Sequence, residues 1–271
     1  MIGQEGIQNH LINRMANGTL PHSMILVGPL GSGRKTLLSE LFDGVYPEDN
    51  KINSIRTIIA MCYNVHDRTF IIPDANELST AAQNALLKIL EEYPNNNSFI
   101  LTVEDTSQLL PTIVSRCEVF HMDRYTPDEI FNYYWTVGDM PNDAELVREL
   151  CETPGEVLKC ISMCKGTIVT FYDYVRLVID HIATVSGSNV FKVADRVELK
   201  SDQSDKYDLK LFWKAFIRGC YHKFLSKQLS PKQTVDAIRT TEKCIAQLRS
   251  KGINKQMLFD VWLLDIRKEW M

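Results

Sequence analysis

The chain has no apolar run long enough to cross a bilayer, which excludes a helical membrane span. It also has no excess of basic charge. Its 30 Lys and Arg stand against 34 Asp and Glu, a formal net charge of −4, so no global positive field draws it to nucleic acid. Contact with DNA must then come from local helix ends or from other chains. There is no cysteine framework either. The seven cysteines are odd in number and scattered, as expected of thiols kept reduced in the cytoplasm. The opening Met1-Ile2-Gly3-Gln4-Glu5 lacks the basic stretch and apolar core of a secretory signal. Cys160 and Cys164 stand at helical spacing with Cys151 upstream, but no His or second Cys pair lies close in sequence. They read as small core residues, and no metal site is expected. Internal repeats and low-complexity tracts are absent. What is present is 271 residues, 45% hydrophobic and 24% charged, enough for two or three modules of ordinary globular composition.

Hydrophobic periodicity orders the first half. Ile2 to Gly18 reads as an amphipathic helix carrying Ile7, Leu11, Ile12 and Met15. Met24-Ile25-Leu26-Val27 is a short continuous apolar run, the pattern of a buried parallel strand. Glycines follow at once, and a helix begins near Leu37. Residues 43–53 are polar and read as a loop, and Ser54 is placed to cap a helix through Ile59. Thr69–Ile72 and Phe99–Val103 are further strands. Between them Thr80–Glu92 forms a strong helix with Ala82, Ala85, Leu86, Ile89 and Leu90 on one face. Alternation of strands and helices predicts an α/β parallel sheet with helices on both faces. After Cys117 the pattern becomes helical. Pro127 sits at a first helical turn, and helices are expected over 170–185, 190–199, 208–229, 231–250 and 254–270, with residues 201–205 as a linker.

Strand, glycine turn and helix are the context of a phosphate-binding loop. Glycines let the backbone aim N–H groups at phosphate oxygens, and a helix N-terminus adds positive potential. The required order is Gly, four residues, Gly, Lys, then Ser or Thr. Gly28 and Gly33 fit, with Gly31 between them, but Arg34 and Lys35 follow. Sliding by one residue brings Lys35-Thr36 into place and puts Arg34 where the second glycine belongs. Neither frame is complete, and a guanidinium does not substitute for the loop ammonium. A second element, Phe70-Ile71-Ile72-Pro73-Asp74, should end in adjacent acids, one for magnesium and one to activate water. Pro73 has no side-chain oxygen, and Asp74 is one carbon shorter than the usual Glu. The glycine loop is thus either a residual nucleotide site for ATP or ADP or a structural turn.

The run Asn84-Ala85-Leu86-Leu87-Lys88-Ile89-Leu90-Glu91-Glu92, then Leu109-Leu110-Pro111-Thr112-Ile113 and Ser115-Arg116-Cys117, resembles the AAA+ clamp-loader subunits of bacterial and phage DNA replication. The likeness is greatest to the delta-prime class of DNA polymerase III. Ile2-Gly3-Gln4-Glu5 and Leu20-Pro21-His22-Ser23 fit the same family. The resemblance is specific over about residues 1–165 and compositional beyond. It implies a RecA-like AAA+ domain over 1–122, a helical lid over 123–166 and an all-α collar over 167–271. It also implies assembly with other clamp-loader subunits into a hetero-oligomeric ring, a pentamer in the family, that acts on a sliding clamp and primer-template DNA.

By the same resemblance Arg116, flanked by Ser115 and Cys117, would be an arginine finger serving the ATP site of an adjacent subunit. Cys117 itself reads as packing. The strand-end residue that senses phosphate falls near Glu104, and Glu156 in Thr153-Pro154-Gly155-Glu156 stands in or beside the place of a nucleotide-contacting Arg. No zinc is expected, since only Cys62 lies where relatives carry a four-cysteine module. Ser54 and Arg56 match a helix N-terminus that faces DNA in the family, although an ordinary capped surface helix explains them equally well. Gln83 and Lys88 lie on the helix that joins the DNA side to the nucleotide site. Leu209, Phe212, Trp213, Phe216 and Tyr221, then Leu258, Val261, Trp262 and Leu263, form stripes that serve as collar core or subunit interface. The expected function is a non-hydrolysing clamp-loader subunit. The alternatives are a hydrolysing subunit and an adaptor in another AAA+ DNA-processing ring.

Overall fold

Strand β1, Ser23–Val27, is buried along its whole length, and the rest of the first unit is arranged around it. The computed structural model describes residues 3–138, 143–163, 168–185, 191–192, 196–198, 207–248 and 252–271. Strands β2 (Gly44–Val45), β3 (Thr69–Ile72), β4 (Ser98–Val103) and β5 (Glu118–His121) join β1 in one sheet, ordered β2-β3-β4-β1-β5. Every pairing is parallel, with Ile25 beside Leu101 and Val119.

Successive strand residues face opposite ways, so each apolar strand supplies two cores. Ile25, Val27, Phe70, Ile72, Phe99 and Leu101 pack on one face with helices α3 (Ile52–Cys62) and α4 (Thr80–Glu92). Met24, Leu26, Ile71, Ile100 and Phe120 pack on the other with α1 (Glu5–Ala16) and α2 (Arg34–Leu41). This two-sided burial is why β1 and β4 read as continuous apolar runs rather than alternating ones.

Three expectations need correction. The stretch 43–53, read as a loop, contains β2 and the start of α3. Its short, half-buried strand left no apolar signal. Ser54 is not the N-cap of α3. Lys51 is, and the Asp49 carboxylate just before it accepts the Lys51 N–H at 3.0 Å. Of the helix expected over 190–199, the described residues show a 3-10 helical turn at 191–192 and a two-residue strand at Val197–Glu198 that pairs with Tyr207–Asp208. The linker over 201–205 and Cys164 lie outside the described residues.

The chain divides into two compact units. The first comprises Met1–Glu129 with Thr153–Gly155, the second Ile130–Glu152 with Glu156–Met271. In the first, α5 (Pro111–Val114) precedes β5. The second is helical: α6 (Pro127–Val137) runs into it, followed by α7 (Ala144–Leu150), α8 (Pro154–Met163), α9 (Ile168–His181), α10 (Leu209–Leu225), α11 (Pro231–Gln247) and α12 (Lys255–Trp270). Its aromatic stripes are mainly internal. Phe212, Trp213, Phe216 and Trp262 are fully buried, with the Phe216 and Trp262 rings edge to face at 4.9 Å. Tyr221 and Val261 remain exposed.

Candidate functional site: the glycine turn and Arg116

The glycine turn joins β1 to α2 as the sequence requires. Gly28 N–H is held by the Val103 carbonyl at 3.0 Å. Gly31 and Gly33 adopt φ of +80° and +87°, a region glycine enters without strain. Gly33 caps α2, so Arg34 is its first helical residue.

The loop's carbonyls are engaged by the chain itself. Thr153 Oγ1 donates to the Leu30 carbonyl (3.1 Å), Gly155 N–H to the Gly31 carbonyl (3.0 Å) and Tyr125 Oη to the Ser32 carbonyl (2.9 Å). Gly31 and Gly155 touch backbone to backbone. A Cβ on Gly31 would lie 2.8 Å from the Gly155 Cα.

Beneath the turn Arg34 is buried, only 5% exposed. Its Nη2 donates to Asp74 Oδ1 at 3.0 Å, and Lys35 Nζ meets Asp74 Oδ2 at 3.1 Å. Burial pushes the guanidinium below its ordinary value, against the pull of Asp74 and then of Glu104. Asp74 sits in the left-handed region (φ 48°). Its N–H is held by Thr102 Oγ1 at 2.9 Å. The positive groups at the start of α2 thus face the chain's own carboxylates. Thr36 is exposed. Pro73 offers only its backbone carbonyl, which accepts from Asn50 Nδ2 at 3.1 Å. This donor set departs from what a nucleotide with magnesium requires, because no side-chain oxygen stands in Pro73's place. Two buried atoms here, Ser32 Oγ and Arg34 Nη1, have no hydrogen-bond partner among the described residues.

Arg116 lies apart from this loop, on the turn after α5. Its Nε donates to Glu91 Oε2 (3.2 Å) and its Nη1 to the Thr112 carbonyl (2.9 Å). The side chain is 33% exposed. Ser115 Oγ turns back to the Thr112 carbonyl at 3.2 Å. Cys117 packs against the core, and burial pushes its thiol up to about 12, which leaves no thiolate for chemistry at neutral pH.

At the N-terminus of α3, Ser54 Oγ donates to Asp49 Oδ1 (2.6 Å), and Lys51 Nζ lies 2.9 Å from Asp49 Oδ2. Hydrogen bonds from Ser54 and Lys51 hold the Asp49 carboxyl at about 2. Ser54 Oγ is thus already engaged by a carboxylate, while Arg56 is exposed. Among the described residues no group of three or more His, Cys, Asp or Glu is arranged to hold a metal. None of their helices is long and apolar enough to cross a membrane.

The structure brings Arg34, Lys35 and Asp74, three residues expected around the glycine loop, together as an ion-pair cluster. Sequence reasoning missed Thr102, Tyr125 and Glu91, whose contacts join residues 25 or more positions apart and leave no local spacing to read, and Asp49, whose local bonds to Lys51 and Ser54 were open to reading.

A family model described as DNA polymerase III, delta subunit, matches residues 49–126. The replication factor C small subunit of Natronomonas pharaonis is 28% identical over 173 residues, covering 57% of this chain and 49% of that protein. Replication factor C small subunit 1 of Pyrobaculum arsenaticum is 26% identical over 227 residues, covering 73% and 66%. DNA polymerase III subunit gamma/tau of Mycoplasma genitalium is 25% identical over 255 residues, covering 80% and 40%. The chain thus spans between 40% and 66% of the length of these curated relatives. Among solved structures, a DNA polymerase III gamma subunit-related protein of Thermotoga maritima superposes with a TM-score of 0.52 at 18% identity, covering 97% of this chain and 100% of that one. A Thermotoga maritima RuvB variant gives 0.50 at 16% identity, covering 97% and 88%. The fold is a RecA-like AAA+ fold. By sequence the chain is similar to replication factor C small subunits and to DNA polymerase III gamma/tau subunits.

Proposed function

We propose that this chain is a non-hydrolysing clamp-loader subunit of the delta-prime kind, lending Arg116 to the ATP site of a neighbouring subunit. It works within a hetero-oligomeric ring that acts on a sliding clamp at primer-template DNA. The observation that carries this reading is the contrast between two places in the first unit. The glycine loop has its Gly31 carbonyl bonded by Gly155 and its Arg34 paired with Asp74, whereas Arg116 sits partly exposed on a braced turn. A guanidinium so placed offsets charge on a transferring phosphoryl group, an effect of about 10³–10⁵ in rate. Arg34 and Pro73 both stand against metal-assisted hydrolysis in the chain's own loop, since neither supplies the group its position needs.

A second reading has one observation behind it. The unpartnered Ser32 Oγ and Arg34 Nη1 are unspent hydrogen-bonding groups suited to a phosphate held without turnover. Calorimetric titration of the isolated chain with magnesium ATP, and with inorganic phosphate, separates the readings. The favoured one expects no heat of binding and no released phosphate. Saturable binding without turnover favours the second, and steady hydrolysis contradicts both.

A further inference from the structure

We propose that Glu91 is a positioning residue for the Arg116 guanidinium. The inference rests on the reading of Arg116 as a group that acts on a neighbour's ATP, and the two fail in different ways.

Glu91 is oddly placed by local rules. It lies in the last turn of α4, where the negative end of the helix dipole disfavours a carboxylate. Its neighbour Glu92 has Lys88 within 3.9 Å one turn back. Glu91 pairs with Arg116 instead, 25 residues further along the chain. An unfavourable local choice that meets a distant partner marks a contact made for another purpose.

The same helix braces the finger's turn at its other end. Gln83, 4% exposed, accepts the Leu110 N–H at 2.8 Å through Oε1 and donates to the Leu78 carbonyl at 3.3 Å. Leu110 is the N-cap of α5, and Arg116 N–H closes the turn on the Ile113 carbonyl at 3.0 Å. Helix α4 therefore holds the start of the Arg116 turn through Gln83 and the side chain at its end through Glu91. Thr112 fixes Nη1 and Glu91 fixes Nε. These contacts leave Nη2 as the remaining edge of the fork, with no partner among the described residues. A long arginine that is held in this way reaches its target with less orientation still to lose.

An exposed ion pair contributes little to folding, so its effect should show in turnover rather than in stability. The test measures magnesium ATP hydrolysis by the complex of the full-length chain with its ATPase partner subunits. It compares wild type, Glu91→Ala, Arg116→Ala and the double variant. Glu91→Ala is expected to lower kcat about threefold to fivefold with KM unchanged. In the Arg116→Ala background it is expected to have no further effect. Glu91→Gln, which keeps an oxygen acceptor for Nε, should recover part of the loss. In the isolated chain, the order parameter of the Arg116 Nε–H measured by NMR should fall in Glu91→Ala. An unchanged order parameter, or equal losses in both Arg116 backgrounds, overturns the proposal. So does a rise in kcat, which would mean that Glu91 restrains the finger. If Arg116→Ala lowers kcat and Glu91→Ala does not, only the Glu91 proposal fails. If Arg116→Ala itself changes nothing, the finger reading fails first.

Discussion

Arg34 changes what a glycine turn does. An ammonium at that position would reach outward to phosphates, whereas the guanidinium is buried and faces Asp74. Replacing Arg34→Lys together with Lys35→Thr restores the order of a complete phosphate loop from Gly28 onward. The isolated double variant is expected to release no phosphate from ATP, because Pro73 still lacks an oxygen for magnesium. It should also lose about 1–3 kcal/mol of stability, as Asp74 gives up a buried partner. Turnover above background in a phosphate-release assay would contradict the assignment. Gly31 offers a second test at this scale. With φ at +80° and the Gly155 Cα 2.8 Å from a new Cβ, Gly31→Ala combines backbone strain with a clash. A loss of about 1–3 kcal/mol is expected, measured by denaturant unfolding, and unchanged stability would mean that the contact with Gly155 is dispensable. Arg34 and Pro73 were legible as departures from a motif of fixed spacing. Gly155 was not, because its partner lies 124 positions earlier and only folding joins them.

Helix α8 carries the clearest case at the element scale. The sequence placed Glu156 in or beside the position of a nucleotide-contacting arginine. Within the second unit its carboxylate instead meets Lys210 Nζ at 2.8 Å and Lys214 Nζ at 2.9 Å, both on α10. It also accepts the Glu152 N–H at 2.9 Å. Burial alone would push this carboxyl up, but Lys214 and Lys210 outweigh it and hold Glu156 below the usual carboxylate range. The contact therefore stabilises the fold fully above the ordinary glutamate pKa. Its contribution is lost as pH falls through the lower folded value. Glu156→Gln should cost about 2 kcal/mol near neutrality and leave a shallower decline of stability on the acid side. Unfolding midpoints measured from neutral to acid pH check both, and parallel curves for wild type and variant would reject the ion cluster as a stabilising contact. The long elements were readable because their periodicity is strong: α4 and the apolar strands stand out in the chain. The two residues of β2 and the edge strand β5, where Glu118 and His121 are exposed, carry too little apolar signal to be read. The partners of Glu156, on α10, leave no trace in local spacing.

For the molecule as a whole, the proposed reading separates two tasks that an active AAA+ subunit combines. The carbonyls of the chain's glycine turn and its Arg34 are engaged by internal contacts, and its partly exposed Arg116 is held at two points by its own chain. The fold is that of RecA-like AAA+ proteins and the sequence is similar to replication factor C small subunits, and the trans role of Arg116 is the claim on which the rest of the proposal depends. Single-turnover phosphate release by the assembled complex, with wild-type chain and with Arg116→Ala, tests that claim most directly. The account expects the variant to fold and assemble normally while the one ATP site facing it slows by about 10³-fold or more. Identical release from every site in the two complexes would contradict it.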